Sequence, residues 1–309
     1  MKNLLVTCLA ISFICFSCQK SMPGYTESNY SFDASLTSST ISLPGTANFT
    51  IADNPDVISF YSGETGNNYD NRNRTILPGG ALKVKFESRV LNKPADTLDV
   101  LISNDFSGVY DSTNVANAKW KKMTSKFNFP LPTTALGTFI PSGLVPGDFT
   151  DITDSVIAGQ PFYFAFKYDI TKNNNIEWSI SKLAMYNFFG SGIPTATIVD
   201  SNSNNSGNFA TVRMGETINR WSRTSTLYKV LNANSSKIGA SHWYISRALN
   251  PNAVTPDLPI VIKNISQSRL SNFKYRYRTA GTYKAVFVAS YNRLNFEKIF
   301  LREFTVVVQ

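Results

Sequence analysis

The pattern that most constrains this chain is a two-residue alternation of apolar and polar side chains that recurs along its length. Leu82-Lys83-Val84-Lys85-Phe86, Thr97-Leu98-Asp99-Val100-Leu101-Ile102, Phe162-Tyr163-Phe164-Ala165-Phe166 and Tyr283-Lys284-Ala285-Val286-Phe287-Val288 each read as a strand, by period 2 or as a short β-rich apolar run. Gly, Pro, Asn or Asp bounds each run, as strand ends require. No long 3.6-residue period competes with them. The expectation is an all-β fold built from antiparallel β-sandwiches. The Asn-rich stretches 172–175 and 201–208 are expected as surface loops, since strand-like sequence resumes after each.

Cysteine usage narrows how such a fold holds together. Cys8, Cys15 and Cys18 are the only cysteines, so the chain beyond them has no disulfide, no thiolate nucleophile and no cysteine metal site. A body of about 290 residues must stand on burial alone, and that length supports one or two cores. The first residues read as a secretory leader: Met1-Lys2-Asn3, an apolar run from Leu4 to Phe16, then Ser17 before Cys18. The run is too short to span a bilayer as a mature helix. With a Cys directly after the small residue, it resembles a bacterial lipoprotein signal. That resemblance implies that Cys18 becomes the first mature residue and carries acyl chains, each worth roughly 0.8 kcal/mol per buried methylene. Cys15 stands where such signals most often have Leu, and a plain secretory cut near Ser21 is the alternative. Residues 1–17 are thus expected as signal peptide and 18–30, with Pro23-Gly24, as a tether.

The formal net charge of +9 is unevenly spread. Residues 200–309 hold fifteen Lys and Arg against five acids, while the first 199 hold fifteen against sixteen. In Phe273-Lys274-Tyr275-Arg276-Tyr277-Arg278 cations alternate with aromatics, so one strand face is expected to be cationic and the other buried. A basic face attracts anionic polymers or headgroups. With no reader motif for nucleic acid, nucleic-acid binding is not expected.

Catalytic constellations are sparse. The one histidine, His242, lies in the strand-like Ser241-His242-Trp243-Tyr244-Ile245; one His cannot build a two- or three-His metal centre, and a structural or surface role is expected. Asp148, Asp151 and Asp154 recur every third residue. They read as a turn into a strand rather than a glycosidase pair, whose members come from distant strands. No Gly-rich phosphate loop follows a strand and opens a helix. No enzymatic role is expected.

Asn54-Pro55-Asp56-Val57-Ile58-Ser59-Phe60-Tyr61-Ser62-Gly63-Glu64-Thr65-Gly66-Asn67-Asn68-Tyr69 resembles the opening signature of an uncharacterised domain family, whose members are lipoproteins of the Bacteroidota often tied to glycan-utilisation systems. Leu98 to Gly108, Ala118-Lys119-Trp120, Phe162 to Tyr168 and Glu177-Trp178-Ser179-Ile180 resemble a galactose-binding-like jelly roll. Tyr277 to Ala289 resembles the last strands of a PKD-type, Ig-like domain. An Ig-like sandwich needs opening strands too, and the chain has no room for them just before Tyr277. The candidates lie upstream, in 31–35, 47–51 and 57–60. The expected architecture is therefore a discontinuous Ig/PKD-like sandwich from 31–62 and 238–309, with a jelly roll over 63–237 inserted in it; two sandwiches in tandem are the alternative.

The jelly-roll resemblance implies that a structural calcium could take oxygens from Asp148, Asp151 and Asp154; no other cofactor is expected. Carbohydrate recognition asks for an exposed aromatic and a few amides or carboxylates. Trp120, among Lys119, Lys121 and Lys122, and Trp221, between Arg220 and Arg223, are the candidate platforms. Tyr69 and Tyr110, beside Gly- and Asn-rich turns, join them, whereas Trp178 and Trp243 are expected in the core. Asp96-Thr97-Leu98, Asp111-Ser112-Thr113 and Asp154-Ser155-Val156 resemble the O-glycosylation acceptor of exported Bacteroidota proteins, Ser112 being the best placed.

The function expected from these features is a non-catalytic envelope protein, lipid-anchored to the outer membrane on its surface or periplasmic face. It would bind polysaccharide for a neighbouring outer-membrane transporter complex. The alternative is a structural or adhesive lipoprotein that binds protein partners.

Overall fold

The computed structural model describes residues 30–92, 98–131, 134, 137–145, 149–172, 175–190, 193, 195–200, 208–225, 227–233, 235–294 and 296–309. The fold is all-β, in sandwiches of sheets that are antiparallel apart from the short parallel pairing of Thr40–Ile41 with Phe296–Val308. Among the described residues no helix is long and apolar enough to cross a membrane.

Strands from both ends of the chain share one sandwich. Its first sheet runs Ala34–Leu36, Gly45–Ile51, Asn272–Tyr277. The second runs Ile260–Lys263, Val57–Tyr61, Gly281–Arg293, Phe296–Val308 and the two-residue Thr40–Ile41. Gly45–Ile51 shows the period-2 rule without a break, every second residue being buried. Between the sheets lie Phe32, Phe49, Phe60, Phe287, Tyr277 and Val306, with Phe49 and Phe60 5.0 and 4.9 Å from Phe287 between ring centroids. Each such ring contributes on the order of 1.5–3 kcal/mol by leaving water. Tyr277 is buried with them, and its hydroxyl donates to Ser62 O at 2.8 Å.

The middle of the chain forms a second sandwich. One sheet has the order Ala210–Met214, Ser241–Ile245, Tyr163–Asp169, Leu98–Ser103, Lys121–Lys122. The facing sheet runs Trp221–Arg223, Leu227–Asn232, Ile176–Phe188, Ala81–Leu91, Ile140–Pro141. Phe86, Val100, Phe164, Phe166, Tyr168, Trp178 and Tyr244 fill the space between them. Tyr163–Asp169 is central and buries both faces: Phe164 and Phe166 point to this core, while Ala165 points to a smaller cluster on the outside of the sheet. Ser241–Ile245 was expected in the outer sandwich from residue 238 onward. It instead pairs with Tyr163–Asp169 and Ala210–Met214. The reason is its double-sided burial, since four of its five residues are buried and only a central strand satisfies that.

The two crossings between sandwiches lie side by side. Asp257, its side chain fully buried, accepts from Asn68 N and from Arg74, both at 3.0 Å. Backbone bonds from Asp257 N to Asn71 O and from Leu258 N to Gly66 O close the same junction.

Candidate functional site

The segment between Ser103 and Lys121 covers the outside of the Tyr163–Asp169 sheet. Ser103 Oγ accepts from Phe106 N at 3.0 Å, and Asp105 accepts from Lys119 N at 2.8 Å, which closes the base of the loop. Phe106 packs edge-on against Tyr163 and Tyr110, and Trp120 lies 5.0 Å from Trp243 between centroids. Ser112–Asn117 forms a short helix because Asp111 caps it, its side chain accepting from Asn114 N at 2.7 Å. Val115 anchors the helix in the aromatic cluster, and Trp120 Nε1 donates to Val115 O at 3.0 Å.

Between this helix and the sheet lies a cleft of ≈ 920 Å³. Tyr110, Asp111, Ser112 and Asn117 form its helix side; Arg213, Glu216 and Thr217 form the other. The strand Ala210–Met214 is the last of its sheet among the described residues, and Thr211 to Met214 line this opening. Among the described residues no carboxylate pairs with Arg213. The walls combine hydroxyls, an amide, a guanidinium, two carboxylates and a tyrosine.

Directly behind the cleft sits a buried ionic cluster. Gly215, at φ +86°, turns the chain so that Glu216 enters the protein; a Cβ there would meet Ala240 Cα at 3.2 Å. Glu216 Oε1 accepts from Arg220 Nε at 2.8 Å, and its Oε2 accepts from Arg220 Nη2 at 3.0 Å and from Lys237 N at 3.3 Å. His242 Nε2, the protonated nitrogen in the arrangement the carboxylate requires, donates to Oε1 at 2.7 Å. The hydrogen bonds from Arg220, ahead of the opposing effect of burial, push the Glu216 carboxyl down to about 2. Burial holds His242 below its usual value, against the pull of Glu216. Its Nδ1 has no hydrogen-bond partner among the described residues.

This electrostatic setting decides what the cleft can do chemically. Two carboxylates line it, Asp111 and Glu216. A glycosidase of the two-carboxylate type needs one of its pair to hold a proton near neutral pH. Glu216 is shifted far the other way, and the bonds from Asn114 also lower Asp111. His242 is fully buried and committed to Glu216. Asp111 and Glu216 are thus both held in the carboxylate form, which accepts hydrogen bonds.

The sequence-derived site residues separate clearly. Tyr110 lines the cleft, half-buried, with its hydroxyl donated to Ser246 O at 2.9 Å. Trp120 lies beneath the helix and holds it in place, so its ring is not an open platform. Trp221 is a correction: it is 4 % exposed and stacks on Tyr244 inside the core, while the flanking Arg220 turns to Glu216. Tyr69 sits in the turn Tyr69–Asn71 at the junction of the sandwiches, one ring face covered by Arg72 at 3.8 Å. It does not line the cleft.

Two of the three aspartates of the calcium expectation are described. Asp151 accepts from Thr153 N at 2.9 Å, and Asp154 binds Lys126 and Ser155. The Asp154 contact with Lys126 is an exposed ion pair. Asp148 lies outside the described residues. Among the described residues no group of three or more His, Cys, Asp or Glu could hold a metal ion. Of the O-glycosylation candidates, Ser112 is exposed at the start of the helix, Ser155 is buried, and Thr97, like Cys18, lies outside the described residues.

Arg213, Glu216 and Asn117 were not singled out from the sequence. The Glu216–Arg220 spacing of four was a visible signal for a salt-bridged pair, but not for its burial against His242. A family described as "Domain of unknown function (DUF5017)" matches residues 17–205. No curated protein and no solved structure matches the chain.

Proposed function

The chain belongs to this family of uncharacterised domains, and from that premise we propose that it is a non-catalytic glycan-binding protein of the bacterial envelope. The leader ending at Cys18 supports a lipid anchor in the outer membrane, on its surface or periplasmic side, and the signature around Tyr61 supports a place among the Bacteroidota lipoproteins. The captured polysaccharide would pass to a neighbouring outer-membrane transporter. One observation carries the reading: the ≈ 920 Å³ cleft is lined mainly by polar groups, namely hydroxyls, an amide, a guanidinium and the carboxylates of Asp111 and Glu216, and polyhydroxyl ligands are recognised by such groups. The test is binding of the protein to purified polysaccharides, with Arg213→Ala and Asn117→Ala as probes of the cleft. Both side chains are exposed, so loss of binding would not reflect loss of fold.

A second reading, adhesion to a protein partner, has its own observation. Val261, Ile299 and Leu301 are 60 %, 57 % and 40 % exposed. Register places Val261, Ser59, Val288 and Leu301 in one cross-strand row on the outside of the outer sandwich. Apolar rows on an open sheet face are features of partner surfaces.

A further inference from the structure

The three-stranded sheet of the outer sandwich turns one face to the core and the other to solvent. On Asn272–Tyr277 the division is strict: Phe273, Tyr275 and Tyr277 point inward, and Asn272, Lys274 and Arg276 point out. The facing strand follows the same rule. Register sets Lys274 opposite Asn48, Arg276 opposite Thr46 and Asn272 opposite Thr50, with Ser35 beyond Thr50. Arg278, exposed, continues the cationic line past the strand end. The strand residues of this face are therefore hydroxyls, amides and cations, with no carboxylate and no large apolar side chain among them; Asp33 and Asp53 stand just beyond the strand ends, at the end away from Arg276.

The missing carboxylate sets this face apart within its own sandwich. Lys284 pairs with Asp70 and Glu303 at 3.2 and 3.3 Å, Arg302 pairs with Asp33 at 3.0 Å, and Arg293 pairs with Asp56. Among the described residues no carboxylate pairs with Lys274, Arg276 or Arg278. Lysines on an edge strand guard against unwanted strand pairing, and Asn272–Tyr277 is an edge. That role accounts for charge along one strand. It does not account for a neighbouring strand offering only Thr and Asn opposite the cations.

We propose that this face is a second carbohydrate contact, which takes an anionic polysaccharide bearing carboxylate or sulfate groups. The inference rests on the glycan-binding reading and adds the ligand class. Cations two residues apart on one strand stand about 6.7 Å from each other, and the Thr and Asn side chains opposite them on the neighbouring strand offer partners to sugar hydroxyls. A bilayer surface would call for an apolar anchor such as Trp, Phe or Leu beside the cations, and this face has none. Single-stranded nucleic acid would call for an outward aromatic to stack on, and Phe273 and Tyr275 are turned inward.

The test is affinity electrophoresis and calorimetry of the protein with heparin and polygalacturonate, with dextran as a neutral polymer. Vesicles of phosphatidylcholine and phosphatidylglycerol complete the set. The double variant Lys274→Gln, Arg276→Gln is compared with Lys119→Gln, Lys121→Gln, an equal loss of charge on the inner sandwich. Thermal melts confirm that both fold. Polyanion binding that weakens about tenfold in the first variant, holds in the second, and fades as salt shortens the screening length is the result expected. Binding to neutral glycans with none to the polyanions would overturn the inference and leave the glycan reading standing. Vesicle binding that depends on Lys274 and Arg276, without polyanion binding, would make the face a membrane surface and overturn it too. No binding to any polysaccharide would remove both.

Discussion

Glu216 and Arg220 form a two-pronged ion pair, 2.8 Å at Nε and 3.0 Å at Nη2, with both side chains less than a tenth exposed. Glu216 also lines the cleft and holds the ring of His242. Two consequences follow from its burial, one for stability and one for pH.

Arg220→Ala leaves the Glu216 carboxylate facing only Lys237 N and His242. Removing one member of a buried pair costs about 3–5 kcal/mol. Urea unfolding should show a loss of that order, whereas the exposed Arg213→Ala should change stability by less than about 0.5 kcal/mol.

The pH dependence has a definite sign. Glu216 binds its proton with a value of about 2 in the folded chain against 4.5 unfolded, so the unfolded state takes up protons first. Its contribution, about 3 kcal/mol, is complete above pH 4.5 and is lost as pH falls toward 2. His242 is also depressed in the folded state, so it too costs stability as pH falls below about 6.5. Stability should decline in two stages on acidification. Glu216→Gln should flatten the lower stage, and His242→Gln the upper. Equal slopes in all three proteins would show that the cluster does not titrate as its geometry demands.

Trp221 and Trp120 should answer differently to truncation. Trp221 lies in the inter-sheet core, so Trp221→Ala should cost about 3–5 kcal/mol, as other buried aromatic deletions do. Trp120 is half-buried and fastens the helix 112–117. Trp120→Ala should cost less in global unfolding but should expose the 104–120 segment to hydrogen exchange. Equal global losses would place both rings in one core.

Much of the fold was legible in the chain because alternation survives wherever one sheet face is buried. Gly45–Ile51 and Ala81–Leu91 show it without a break. Ser241–Ile245 was misassigned because double-sided burial erases the alternation that would tell which sheet it joins. The candidate site was less legible for a different reason. Asn117 and Arg213 are nearly a hundred residues apart, and only sheet order brings a helix after one strand beside an edge strand from elsewhere. The flanking arginines made Trp221 look exposed; its true neighbours, Tyr244 and the facing sheet, are set by register alone.

Asp257 offers a test of how the sandwiches are joined. It is fully buried and holds Arg74 and Asn68 N across the junction. Asp257→Ala should destabilise by about 3 kcal/mol. It should also open the 66–77 and 249–258 crossings to limited proteolysis before either sandwich core unfolds. A single cooperative transition with no new cleavage there would mean that the crossings are held by other contacts.

The most direct test of the central claim is calorimetric titration of the protein with a panel of purified neutral and acidic polysaccharides. The account predicts binding to one glycan class. Arg213→Ala and Asn117→Ala should each weaken it about tenfold, near 1.4 kcal/mol, with unchanged melting temperature. No binding across the panel, or binding that neither substitution affects, would contradict it.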